Sequence, residues 1–211
     1  VIGSANGKVG IFRYQNNSWA QIGNDLEGEN NFGETVSISP DGSLIAVGAT
    51  GPRSSHAVDN ARYNVKGSVS LYEVNESGWN KLDTGDQFIG PGYGENSNLN
   101  YDFDLYGYAL DIVGNEDRKV LAIGAPGIGG INPNVGSHTH KYRDAHTGKV
   151  FIYENTGDGW SSLGSEGVSG VSVYSTGNGH MFGRSLALSD DGYTLIAGSP
   201  NSWKGGTGSG Q

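Results

Sequence analysis

The chain of 211 residues contains no cysteine. That absence excludes disulfides, thiolate nucleophiles and cysteine-held metal centres, and it leaves the redox compartment open. Basic residues are scarce, 13 Lys and Arg against 22 Asp and Glu, for a formal net charge of −9. The phosphate-neutralising footprint of a nucleic-acid binder is therefore missing, and anionic membrane surfaces are disfavoured for the same reason. No apolar run approaches the ~20 residues that span a bilayer, so membrane insertion is not expected, and no secretory leader is visible. Amphipathic helical periodicity is absent too. No Gly-x-Ser-x-Gly elbow presents a serine nucleophile.

What is present is repetition. Gly7-Lys8-Val9-Gly10-Ile11-Phe12 returns as Gly67-Ser68-Val69-Ser70-Leu71-Tyr72 and as Gly148-Lys149-Val150-Phe151-Ile152-Tyr153. Each copy is followed, twelve residues after its glycine, by Trp19, Trp79 or Trp160. A second block begins with Phe32-Gly33, Tyr106-Gly107 and Phe182-Gly183, and each copy leads to an apolar run ending at Gly48-Ala49, Gly124-Ala125 or Gly198-Ser199. Self-similarity of this period marks an array or propeller whose units stack on their neighbours. Val36/Ile38 and Leu186/Leu188 alternate with polar residues, the period of a half-buried strand. Leu44-Ile45-Ala46-Val47 and Val120-Leu121-Ala122-Ile123 are continuously apolar, as in strands covered on both faces. Ser39-Pro40-Asp41-Gly42 and Ser189-Asp190-Asp191-Gly192 are tight-turn sequences.

Each repeat thus supplies four strands, named here by their marks: Gly-x-Val, Trp, aromatic-Gly and Gly-Ala. The expectation is an all-β propeller of four-stranded antiparallel blades, about three blade equivalents in one segment over 1–211, with repeat marks at 7–50, 67–126 and 148–200. Glycine, 37 of the residues, suits many turns and close strand approach. Three repeats fall short of the ~4 blades at which propellers close, and the chain opens inside a repeat. A piece of a larger propeller or an open array is therefore expected.

The Phe-Gly marks, the alternating strand and the Gly-Ala-Thr, Gly-Ala-Pro and Gly-Ser-Pro endings resemble the FG-GAP repeats of integrin α-subunit propellers. The added Gly-x-Val and Trp-x-x-Leu-Gly marks are more similar to secreted FG-GAP arrays of microbes and algae. The resemblance implies an extracellular or cell-surface recognition or adhesion module rather than an enzyme, binding a protein or glycan through loops on one face. Integrin turns between the aromatic-Gly and Gly-Ala strands often hold calcium. The turns here offer too few carboxylates on too short a loop, since calcium takes ~6–8 oxygens.

Asn98, Asn100, Asp102 and Asp104 present oxygen side chains at alternate positions, as a calcium loop begins. The alternative is a polar loop running into the next strand, and no cofactor is otherwise required. His138, His140, His146 and Asp144 admit a similar pair of readings, metal ligands or a solvated loop. Asn16-Asn17-Ser18 and Asn75-Glu76-Ser77 are glycosylation sequons in the turns before Trp19 and Trp79, where a glycan suits a secreted chain. Asn and Ser are also ordinary turn residues. A pair among Asp83, Asp86, Asp102, Asp104, Asp111 and Asp144 could serve glycoside hydrolysis, which keeps a carbohydrate-active enzyme as one alternative.

Two connections vary in length, Trp to aromatic-Gly and Gly-Ala to Gly-x-Val, and the other two hardly vary. In an up-and-down blade the variable pair emerges on one face, the usual mark of a binding surface. The expected binding segments are 51–66, 83–105, 127–147 and 165–181. Tyr63, Tyr93, Tyr101, Phe103, Tyr142 and Tyr174, with Trp203 beyond, are the candidate contacts, suited to stacking on sugars or anchoring a protein. Some of them are expected to fold back over the blade ends. The first alternative, ahead of the carbohydrate-active enzyme, is a structural segment of an extracellular or surface assembly with copies or other subunits.

Overall fold

The computed structural model describes residues 2–4, 7–51, 66–91, 104–128, 148–164, 168–169 and 181–200. All regular elements among them are strands, so the chain is all-β as its periodicity requires. No helix among the described residues is long and apolar enough to cross a membrane.

The strands fall into four groups. The first comprises β1 (Ile2–Ser4), β2 (Lys8–Gly10), β3 (Phe12–Gln15), β4 (Ser18–Gln21) and β5 (Leu26–Glu27). The second is a sheet of β6 (Phe32–Ile38), β7 (Leu44–Ala49), β8 (Ser68–Val74) and β9 (Trp79–Lys81), paired in that order. The third pairs β10 (Ala109–Gly114), β11 (Lys119–Ala125), β12 (Lys149–Asn155) and β13 (Trp160–Ser162), with β14 (Val168–Ser169) also on β12. The fourth is the pair β15 (Ser185–Leu188) and β16 (Leu195–Gly198). Neighbouring strands within the sheets are antiparallel.

A complete sheet runs aromatic-Gly, Gly-Ala, Gly-x-Val, Trp, so it is out of phase with the sentence as it repeats in the sequence. The chain passes from one sheet to the next between a Trp strand and the following aromatic-Gly strand. Registers repeat between sheets: Leu44 faces Glu73 as Val120 faces Glu154, and Trp19, Trp79 and Trp160 face Tyr14, Val74 and Asn155 at matching positions. Beyond each tryptophan the same backbone bond recurs, Ile22 N to Ile11 O, Leu82 N to Leu71 O and Leu163 N to Ile152 O, at 2.8, 2.9 and 2.8 Å.

The aromatic-Gly mark is a turn. Glu34, Tyr108 and Arg184 each donate a backbone N–H to the carbonyl three residues earlier, at Asn31, Leu105 and Met181. Gly33, Gly107 and Gly183 hold φ of 86, 88 and 83°, the i+2 conformation of a type II turn, which glycine takes without strain.

Period-2 alternation sorts the core into the spaces between sheets. Ile45 and Val47 of β7 pack with Val9, Ile11, Leu26 and Phe32. Leu44 and Ala46 of the same strand pack with Ile112, Leu121 and Ile123 of the third sheet. The aromatic-Gly strands of successive sheets are stitched as well. Ile112 N donates to Ser37 Oγ at 3.2 Å and Leu188 N to Asp111 Oδ2 at 2.7 Å, equivalent positions in successive repeats. Phe32 and Tyr106 are buried as expected of the aromatic mark, and Phe182 is half-buried. The tryptophans differ more than their shared register suggests: Trp79 and Trp160 are half-buried, whereas Trp19 is 70% exposed.

Candidate interaction surface

Antiparallel neighbours send successive connections to opposite ends of each sheet. The short connections 39–43, 75–78, 115–118, 156–159 and 189–194 share one end. The long connections 50–67, 82–108, 126–148 and 163–184 share the other. Tyr63, Tyr93, Tyr101, Phe103, Tyr142, Tyr174 and Trp203 lie outside the described residues, as do Asn98, Asn100, Asp102, His138, His140, Asp144 and His146. The structure defines the roots from which these segments spring.

Those roots are tightly built. Asp104 is buried, and its Oδ1 accepts from the backbone N–H groups of Gly67 and Tyr106, each at 3.1 Å. One carboxylate thereby ties the end of the first long connection to the end of the second. Gly90 makes room for it, since a Cβ there would lie 2.3 Å from Asp104 Oδ2. Gly127 N donates to Asp104 O at 3.1 Å, as Gly51 N donates to Asn30 O at 2.9 Å one repeat earlier. Asn31 Nδ2 reaches Gly51 O at 2.5 Å, and Thr50 Oγ1 bonds the Glu34 carboxylate. The residue before each aromatic, Asn31, Leu105 and Met181, has φ of 65, 51 and 55°. Left-handed backbone at a leucine and a methionine costs energy. Its recurrence at one place in three repeats makes it part of the root geometry. Tyr106 Oη and Tyr153 Oη share a buried hydrogen bond of 3.0 Å. Burial, and then the neighbouring Tyr153, push the Tyr106 phenol far above its ordinary range.

The other end is occupied by its own side chains. Asp41 Oδ1 accepts from Ser39 Oγ, Ser43 N and Ser43 Oγ at 2.5, 3.0 and 2.8 Å, and Lys119 Nζ of the third sheet lies 3.3 Å from Oδ2. Burial opposes ionisation of Asp41, but the bonds from Ser39, Ser43 and Lys119 outweigh it and hold the carboxyl well below its usual range. Asp191 repeats the motif with Ser189 Oγ at 2.5 Å and Tyr193 N at 3.0 Å, and is likewise lowered, chiefly by Ser189. Arg118 bonds the Glu154 carboxylate and Asp191 O and lies 4.3 Å from the centre of the Tyr193 ring, pinning the third sheet to the fourth. A cleft of about 410 Å³ opens here between the second and third sheets, lined by Glu73, Asn75, Asn80, Glu116, Lys119 and Trp160 among others.

The sequons also sit at this end. Asn16 and Asn17 are exposed, with φ of 51 and 61°, a two-residue hairpin of the I′ kind. Asn75 is exposed and its Oδ1 accepts from Ser77 N and Oγ at 3.0 and 3.1 Å. Glycans on either would stand away from the long connections.

Sequence reasoning did not find the scaffold roles of Asp104, Ser37, Asp111 and Arg118. The equivalence of Ser37 and Asp111 was available from the alignment of the second block; the inter-sheet partners were not. The chain matches no protein-family model and no curated protein.

Proposed function

We propose that the chain is a segment of a β-propeller that recognises a protein or glycan partner through the long connections at one end of its sheets, as a non-enzymatic extracellular or cell-surface module. The observation that carries this reading is the division of labour between the ends. One bears short turns in which Asp41, Asn115 and Asp191 are taken up by hydrogen bonds within the turn. The other bears long connections sprung from buried, hydrogen-bonded roots. A rigid scaffold presenting variable loops is the usual organisation of a binding surface. Sheet stacking through the inner strands and antiparallel four-stranded order support the propeller.

The hydrolase alternative finds less support. Of its candidate carboxylates, Asp104 holds two backbone amides, Asp111 holds Leu188 N, and Asp83 caps Gly85 N at 3.1 Å. Each serves the fold. Asp104, the described member of the proposed calcium stretch, accepts two backbone amides through Oδ1 at the root of the connection.

The test is screening of the purified chain against arrays of glycans and of extracellular proteins. The double variant Tyr101→Ser/Phe103→Ser is expected to keep the wild-type melting temperature and to lose ~2 kcal/mol or more of binding if these rings are anchors. Binding unchanged by it, but abolished by changes at Ser39, Asp41 or Asp191, would place recognition at the opposite end.

A further inference from the structure

Strand register sets two rows of side chains against each other at the short-turn end of the seam between the second and third sheets. Leu44 pairs with Glu73 and Glu73 with Asn80, so these three stand on one face of the second sheet. Lys119 pairs with Asn155 and Asn155 with Trp160, which stand together on the third. Both rows line the cleft of about 410 Å³. Glu73 and Asn80 are exposed, and among the described residues no hydrogen bond or ion pair engages either side chain. Trp160 is half-buried against Phe88, and its Nε1 is buried with no hydrogen-bond acceptor among the described residues.

The preceding seam shows what closes such a space. There the residues equivalent to Lys119, Asn155 and Trp160 are Ser43, Val74 and Trp79, and those equivalent to Glu73 and Asn80 are Arg13 and Ala20. Val74 and Trp79 pack against the core shared by the first group and the second sheet. Trp79 Nε1 donates to Asn24 O at 2.9 Å, and Arg13 Nη2 crosses the seam to Asn75 O at 3.5 Å. Thr84 stands one repeat later where Asn24 does, but its carbonyl accepts from Gln87 N at 3.2 Å. The indole N–H of Trp160 is thereby orphaned, and a wall that is apolar at Val74 is polar at Asn155. A buried donor without a partner is costly, and beside a cleft it is a place for an acceptor from outside the chain.

We infer that this cleft binds a saccharide unit, a neutral pyranose. Each sugar hydroxyl both donates and accepts, which answers a lining that mixes the Glu73 carboxylate, an acceptor only, with the amide of Asn80 and the indole N–H. The apolar face of a pyranose ring suits the indole of Trp160. An anion is disfavoured, because Glu73 and Glu116 both line the cleft and Lys119 is already held by Asp41 at 3.3 Å. The volume lies within the ~300–1,000 Å³ of small-molecule sites. The cleft is at the opposite end from the long connections and does not rest on recognition by them.

Magnetic resonance of the nitrogen-15-labelled chain tests it. The probes are the methyl glycosides of glucose, galactose, mannose and N-acetylglucosamine, each titrated to millimolar concentration, with tetramethylammonium as the cationic comparison. Trp160→Phe assigns the indole N–H signal of Trp160. At least one glycoside should move that signal saturably and leave the signal of Trp79 in place. Glu73→Ala and Asn80→Ala, both at exposed positions and expected to melt like the wild type, should each weaken this binding about fivefold or more, as the loss of one hydrogen bond requires. Tyr101→Ser/Phe103→Ser should leave it unchanged, which separates this site from the long connections. No movement of the Trp160 signal with any glycoside, a response to tetramethylammonium alone, binding that either alanine substitution leaves untouched, or binding lost with Tyr101→Ser/Phe103→Ser would each overturn the proposal.

Discussion

Gly124 and Gly42 are both repeat-marking glycines, and they are glycines for opposite reasons. Gly124 lies at the long-connection end of β11, where a Cβ would fall 2.1 Å from Gly183 O of the fourth sheet. Gly48, its counterpart in the second sheet, meets Gly107 O of the third at 2.3 Å in the same way. Gly42 lies in the short Ser39–Ser43 turn with φ of 72° and nothing within 4 Å of a Cβ. At one end, sheets approach backbone to backbone and the side chain is excluded by volume. At the other, the backbone merely has to turn, and the side chain is disfavoured by its conformation alone. The same residue type therefore reports a close-packed seam in one place and an open hairpin in the other.

The sharpest way to break that contrast is Gly124→Ala. The obstructing atom is a backbone carbonyl, which cannot swing aside as a side-chain tip can. Overpacking of this kind costs ~1–3 kcal/mol and occasionally more, and the contact distance puts this case at about 3 kcal/mol or above. Urea denaturation would measure it. A loss below ~1 kcal/mol would mean the third and fourth sheets part readily, and the seam would then be no stiffer than the turns.

Asp104→Ala comes next, because it leaves the amides of Gly67 and Tyr106 without their acceptor in a buried site. Stranding buried donors costs ~1–3 kcal/mol. The same residue decides the calcium expectation. If the loop from Asn98 to Asp104 binds calcium, melting in calcium and then in chelator should differ for the wild type and not for Asp102→Asn/Asp104→Asn. A shift retained by that double variant would remove the ion from this loop.

The sequence displayed the fold through features that repeat and concealed those that do not. The Gly-to-Trp spacing and the paired aromatic-Gly blocks fix strand order and register, because each strand's hydrogen-bonding partner is another part of the same repeated sentence. The continuous apolar runs at Leu44–Val47 and Val120–Ile123 correctly read as strands covered on both faces. The burial of Asp104 was hidden, because alternating Asn and Asp side chains look alike in a sequence whether they face solvent or amides. Trp19 was hidden for a different reason. Its register matches Trp79 and Trp160, yet its exposure depends on what packs against its strand from elsewhere in the fold, which no local pattern encodes. The residues proposed to contact a partner fall in the connections that vary most, where no repeat constrains the backbone.

Gly42→Ala measures the open side of the contrast. With space for the methyl and only left-handed φ to penalise, the expected cost is ~1–2 kcal/mol, below that of Gly124→Ala. Asn at position 42 tolerates this conformation better, so Gly42→Asn should recover part of the loss. Equal costs for Gly42→Ala and Gly42→Asn would indicate crowding in the turn rather than backbone strain.

The smallest effect belongs to Asp41, and pH separates it from the rest. Its carboxyl titrates below the ordinary value in the folded chain: burial works against ionisation, and the bonds from Ser39, Ser43 and Lys119 prevail. A carboxyl lowered by folding contributes stability that is fully present above its unfolded pKa of ~3.9 and is lost as pH falls through the lower folded value. The side chain is 30% exposed and Lys119 16%, so solvent screening limits the contribution to a few tenths of a kcal/mol up to ~1. Asp41→Asn should therefore cost about that much near neutral pH, and the difference from wild type should shrink as the pH is taken below ~4. Asp191, lowered mainly by Ser189, should show the same direction. Denaturation curves for wild type and Asp41→Asn at neutral and acidic pH would measure the effect. A penalty that stayed constant into acid would assign the role of Asp41 to hydrogen-bond geometry that the amide cannot reproduce, with its charge contributing nothing.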